Sequence, residues 1–104
     1  MLKEQLHKDI KHCILTYGIV TILAVLTEQE ASENYELCQD ILDCIQVLYP
    51  DDHDIPTRYD ENTIGWASAC FFGGREYTFP NLNEYVNHVY RKLQIKRTYE
   101  IKLV

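Results

Sequence analysis

Bases are scarce in this sequence. Ten lysines and arginines stand against sixteen aspartates and glutamates, a formal net charge of −6 over 104 residues. A molecule of that charge is repelled by phosphate backbones and anionic lipid, so non-specific binding to nucleic acid or a membrane surface is not expected of it as a whole. Paired-thiol motifs are lacking too. Cys13, Cys38, Cys44 and Cys70 include no Cys-x-x-Cys, and Cys38 and Cys44 sit where an amphipathic helix buries small apolar residues. Reduced, buried thiols in a cytoplasmic protein are therefore expected, rather than a disulfide framework.

No apolar run reaches the length of a membrane span. The longest, residues 13–26, is broken by Thr16, Gly18 and Thr21, and a span needs about 20 residues. Lysines precede it as in a secretory signal, yet Glu4 and Asp9 lie among them, and Glu28 and Glu30 follow where a small-residue cleavage site belongs. The run reads as a buried helix.

Internal repeats, low-complexity segments and catalytic signatures are absent as well. Gly73-Gly74 has no following Lys-Ser/Thr and is not a phosphate loop. Cys70 with His88 offers a nucleophile and a base on paper, but no Gly-flanked nucleophile or orienting partner accompanies them, so no catalytic residue is assigned and no enzyme is expected. Asp51-Asp52-His53-Asp54 carries oxygen and imidazole donors without the EF-hand's alternation or glycine. It reads as a solvated acidic loop, and neither a metal nor another cofactor is expected.

What is present is ordinary globular composition, 46% hydrophobic and 25% charged, which predicts one folded domain over residues 1–104. Leu2, Leu6, Ile10, Cys13/Ile14 and Tyr17 recur at helical spacing, and Gly18 ends or bends that helix. Residues 19–26 are apolar all round except Thr21, the pattern of a helix surrounded by core. Tyr35, Cys38, Ile41/Leu42, Ile45 and Leu48 form the apolar stripe of a further helix, which Pro50 stops. Residues 50–63 read as loop, and residues 64–72 as either a short helix or a buried strand. Gly73-Gly74 is a turn signal before a short strand over 75–79. Asn81 with Glu84 has capping-box spacing at the start of a helix striped by Leu82, Tyr85/Val86, Val89/Tyr90 and Leu93. Tyr99, Ile101 and Leu103 alternate with charges, which predicts a terminal strand. The expected fold is α+β and mainly helical: an N-terminal helical hairpin, a C-terminal helix and a short two-stranded β-ribbon.

The segment Glu33-Asn34-Tyr35-Glu36-Leu37-Cys38-Gln39-Asp40-Ile41-Leu42-Asp43-Cys44-Ile45 resembles the second helix of the UVR motif, a short antiparallel helical hairpin of excision-repair subunits and some protease adaptors. Tyr35-Glu36, Cys38, Ile41, Asp43 and Ile45 match, while Leu42 stands where the family has Arg and Gln39 where it has a second small residue. Over residues 22–45 the resemblance implies helix-hairpin pairing with another protein chain, and no chemistry of its own.

The strongest pattern is charge segregation. Between Glu28 and Glu61 eleven acids face one base, Arg58, whereas from His88 onward Arg91, Lys92, Lys96, Arg97 and Lys102 face only Glu100. At 100° per residue Glu33, Glu36, Asp40 and Asp43 fall within about 80° of one another. Like charges at that spacing repel, so a complementary basic surface is expected opposite them, with Asp51 and Asp52 extending the patch. The bland alternative is a solvated face, or one that meets this protein's own basic tail.

The resulting expectation is a small inhibitor or regulator docking its acidic helix face on a larger, basic, nucleic-acid-handling protein, with carboxylates standing where phosphates would sit. Acidic, motif-poor chains encoded by phages and mobile elements against nucleases or CRISPR effectors are of this type, as are immunity proteins. The alternative is a self-associating, homodimeric adaptor or regulator that contacts nucleic acid through Arg91, Lys92, Lys96 and Arg97, interleaved with Tyr90 and Tyr99. Direct nucleic-acid contact is the less expected of the two, because the whole chain is acidic.

Overall fold

The computed structural model describes residues 3–52, 54–71 and 81–103, of which 68–71 by backbone alone. Five helices follow in chain order among them: α1 (Lys3–Tyr17), α2 (Ile19–Ala31), α3 (Tyr35–Leu48), α4 (Glu61–Phe71) and α5 (Leu82–Leu93). Helix α2 is the centre. It packs against each of the other four, while α1 also meets α3 and α5. Every residue from Ile19 to Leu26 is consequently buried, which is what a helix without a polar face requires. Among the described residues no helix is long and apolar enough to cross a membrane.

The expected α+β class is wrong. The described residues are helical with no strand, and the terminal residues 95–103 pair with no other backbone as a ladder. Ile95, Ile101 and Leu103 instead rest half-buried on the helical core. The backbone N–H of Ile101 finds its acceptor in a carboxylate, Glu28 Oε2, at 3.0 Å. Alternation along the tail thus reflects an extended strap lying on helices, a pattern that period-2 reasoning cannot tell from a strand. The turn at Gly73-Gly74 and the strand expected over 75–79 fall outside the described residues.

Residues 64–71 are helical. Their helix is started by a reciprocal cap: Thr63 N–H donates to Asp60 Oδ1 at 3.0 Å, and Asp60 N–H donates to Thr63 Oγ1 at 3.2 Å. The cap expected at Asn81 does not form; its side chain makes no capping bond, and Glu84 pairs with His88 at 3.6 Å.

Two backbone positions shape the N-terminal half. Gly18 separates α1 from α2 at φ 94°, ψ 161°, a region that side chains forbid. Its N–H still donates to Ile14 O at 3.0 Å, so the chain turns a corner without orphaning that donor. Glu33 closes the α2–α3 hairpin in the left-handed region at φ 61°. Its N–H donates to Glu30 O and that of Asn34 to Gln29 O, each at 3.0 Å, the crossed pair of a Schellman turn. Gln94 repeats the device after α5, at φ 57°.

A methyl group at Gly18 would meet no atom within 4 Å, so Gly18→Ala tests the backbone alone. It should destabilise by about 1–3 kcal/mol. Glu33→Gly should stabilise by about 0.5–1 kcal/mol, because glycine occupies the left-handed region without strain. Urea unfolding of both variants should show these opposite signs.

Candidate interaction surface and a buried charge network

The acidic run divides into three kinds of environment. Asp40 is 3% exposed. Its Oδ1 lies 2.9 Å from His7 Nε2 and 3.4 Å from Lys3 Nζ, both on α1. Asp43 is half-buried and accepts from Gln39 Nε2 at 2.9 Å. Glu33 belongs to the turn before α3, not to the helix. The expected four-carboxylate stripe is therefore broken. The reason is that α3 packs on two sides, against α1 as well as α2, so its buried arc is wider than its apolar stripe. Glu33 and Glu36 remain exposed, as do Asp51 and Asp52 in the loop beyond α3.

The hairpin tip holds what is left of the pattern. Glu30 on the last turn of α2, Glu33 in the turn and Glu36 on the first turn of α3 are all exposed, and between them Tyr35 is 62% exposed. Glu36 also complements the N-terminal dipole of α3. The tip is held by the Schellman turn and by Asn34, whose Nδ2 donates to Gln29 Oε1 at 3.0 Å. An aromatic ring among carboxylates on a fixed turn has the make-up of an interface anchor.

A constellation missed at the level of sequence lies beneath that tip. Glu28, 0% exposed, is surrounded by four donors. Its Oε1 accepts from Arg97 Nε at 2.8 Å and from the Tyr90 hydroxyl at 2.9 Å. Its Oε2 accepts from Arg97 Nη2 at 2.6 Å and from Ile101 N–H at 3.0 Å. Arg97 Nη1 then donates to Asn83 Oδ1 at 2.7 Å and Asn87 Oδ1 at 3.0 Å, while Gln29 Nε2 donates to the Tyr90 oxygen. The hydrogen bonds to Glu28, ahead of the opposing effect of burial, raise Arg97 above its ordinary pKa; burial above all raises Tyr90. Glu28 and Arg97 are 69 positions apart, and no local periodicity marks the pairing. The one available signal was the opposed charge of the two segments.

Of the four bases assigned to nucleic-acid contact, Arg97 is thus internal, with a side chain 7% exposed. Arg91, Lys92 and Lys96 are exposed, and Arg91 Nη2 lies 2.6 Å from His88 Nδ1. His88 itself stacks on Tyr17, with ring centroids 5.6 Å apart. Trp66 is half-buried against the core. Cys13, Cys38 and Cys44 are free and buried; the side chain of Cys70 lies outside the described residues.

Comparison with protein-family models, with curated proteins and with solved structures returns no match.

Arg97→Met leaves the Glu28 carboxylate buried without its partner and should cost about 3–5 kcal/mol. Arg97→Lys should recover only part of that, since an ammonium cannot reproduce the two-pronged contact. Urea unfolding measures the loss, and proteolysis should show residues 95–103 cut first.

Burial pushes the Cys13 thiol up from 9.0 to about 11, with Lys92 opposing and Asp9 adding to the shift. Burial raises Cys38 and Cys44 as well. Between pH 9 and 11 the unfolded chain releases a proton that the folded Cys13 keeps, so this contribution is fully present below pH 9 and is lost as pH rises. The urea midpoint should fall across that window, and Cys13→Ala should flatten the fall.

Proposed function

We propose that this chain is a small protein-interaction domain that docks the tip of the α2–α3 hairpin on a basic surface of a larger protein. The observation that carries the reading is Tyr35, 62% exposed among the exposed carboxylates Glu30, Glu33 and Glu36. Large aromatics supply the anchoring energy of interfaces, and surrounding charges supply orientation and speed of encounter. Asp51 and Asp52 extend the negative field.

The partner class that fits is a nucleic-acid-handling protein, because such proteins present basic grooves that carboxylates can occupy in place of phosphates. Inhibition or regulation by occupancy is then the activity, and no chemistry by this chain is required. The helical pairing implied by the likeness to the UVR hairpin points to the same segment, now centred on residues 30–36. Reduced, buried cysteines accord with a cytoplasmic setting.

The test is a pull-down from host lysate with the full chain, set beside Tyr35→Ala and the charge reversal Glu30/Glu33/Glu36→Lys, each checked for an unchanged helical spectrum. A partner held by the wild type should fall at least tenfold with either variant, and its capture should weaken as salt rises. Equal capture by all three proteins would overturn the proposal.

A further inference from the structure

Away from the hairpin tip, α1 and α3 bring together three groups that the proposed function does not use. His7 on α1 and Asp40 and Asp43 on α3 each point one donor atom into a space where these atoms lie within 4.8 Å of one another. We propose that they bind a first-row divalent cation, of which zinc is the type, clamped between the two helices.

The donors come from two elements and are of two chemical kinds. Asp40 and Asp43 are three residues apart on one helix, a spacing that puts both side chains on the same face. His7 approaches from the opposing helix, with Nε2 2.9 Å from Asp40 Oδ1. Two ligands bonded to one tetrahedral zinc at about 2.0–2.2 Å sit about 3.4 Å apart, so this hydrogen-bonded pair needs to part by only about half an ångström to share an ion.

Asp40 is the anchor of the group. Its side chain is only 5% exposed, yet both of its contacts fall on Oδ1. Oδ2 takes no hydrogen bond from any described residue. That oxygen meets solvent and stands open to an ion from that side. Gln39 fixes the remaining ligand by donating to Asp43 Oδ1 at 2.9 Å, the kind of outer contact that orients metal-binding carboxylates.

One imidazole and two carboxylates form a nitrogen–oxygen set suited to zinc, manganese or cobalt, whereas calcium takes six to eight oxygens. Three protein ligands leave further positions to water, on the side where His7 is 26% exposed. Lys3, the present cationic neighbour, is 68% exposed and 3.4 Å from Asp40. A dication balances two carboxylates where one ammonium balances half of them, and Lys3 can swing into solvent.

The experiment is calorimetric titration of chelator-treated full-length protein with zinc chloride, and separately with manganese chloride, alongside thermal melts. One equivalent should bind with a dissociation constant in the micromolar range and raise the melting temperature. His7→Gln and Asp43→Asn should each weaken binding at least tenfold while their metal-free melts stay near that of the wild type. Lys3→Met should tighten binding, and His12→Gln, on the exposed face of α1, should leave it unchanged. If one of the two ligand variants fails to fold, the other decides. Binding no tighter than millimolar would overturn the proposal. So would micromolar binding indifferent to both ligand variants, which would place the ion on other donors such as Asp51 and Asp52.

Discussion

The architecture depends on one buried carboxylate. Glu28 sits near the C-terminal end of α2, where the helix dipole is already negative, and it is fully removed from water. An isolated charge there costs several kcal/mol. Arg97 offsets that cost with a two-pronged contact, and Tyr90 and Ile101 complete the shell. The last residues of the chain are thereby attached to the central helix. Asn83 and Asn87 hold the far side of the guanidinium, so α5 is tied to the same point. Removing a single charge therefore loosens three segments together, and replacing the pair with apolar groups would have to re-satisfy four polar neighbours at once: Tyr90, the Ile101 N–H, Asn83 and Asn87.

Much of the helical half was legible because its signals are local. The stripe from Tyr35 to Leu48 and the apolar run from Ile19 to Leu26 each follow from residues within two turns of one another. Helix α3 is found where its spacing places it, and α2 begins with the run but continues past it to Ala31, through residues 27–31 whose polarity reads as a connection. Gly18 marked a corner for the same local reason. The failures share a different cause. The tail reads as a strand because Tyr99, Ile101 and Leu103 alternate with charges; an extended segment gripped by side chains alternates equally well. The acidic stripe was read as solvent-facing because its four carboxylates oppose the apolar residues of α3. That inference assumes one packed side, and α1 covers a second. Which acids point outward was decided by contacts with Lys3 and His7, more than thirty positions away.

The same distinction organises the candidate site. Eleven acids crowd residues 28–61, and the fold sorts them by partner. Glu28 and Asp40 are taken inside, each with bases drawn from the chain's ends: Arg97 for one, Lys3 and His7 for the other. The first contact joins the acidic run to the protein's own basic tail, whereas the second draws on α1 at the opposite end of the chain. The first also removes Arg97 from any surface that nucleic acid can reach. The exposed remainder, Glu30, Glu33 and Glu36, is small but better defined than the original stripe, since it surrounds a ring that the core does not use.

Rigidity gives that tip its significance. An exposed tyrosine on a flexible loop loses conformational freedom on binding and contributes correspondingly less. In the docking we propose, the backbone part of that loss has been met in folding. The left-handed Glu33 is held by crossed backbone bonds, and Asn34 gives its side chain to Gln29 instead of capping α3. Gln29 in turn donates to Tyr90 in the Glu28 network. The position of Tyr35 is thus coupled through Asn34, Gln29 and Tyr90 to the same buried carboxylate that fixes the tail. The acid that vanished into the interior is what holds the exposed ones in place.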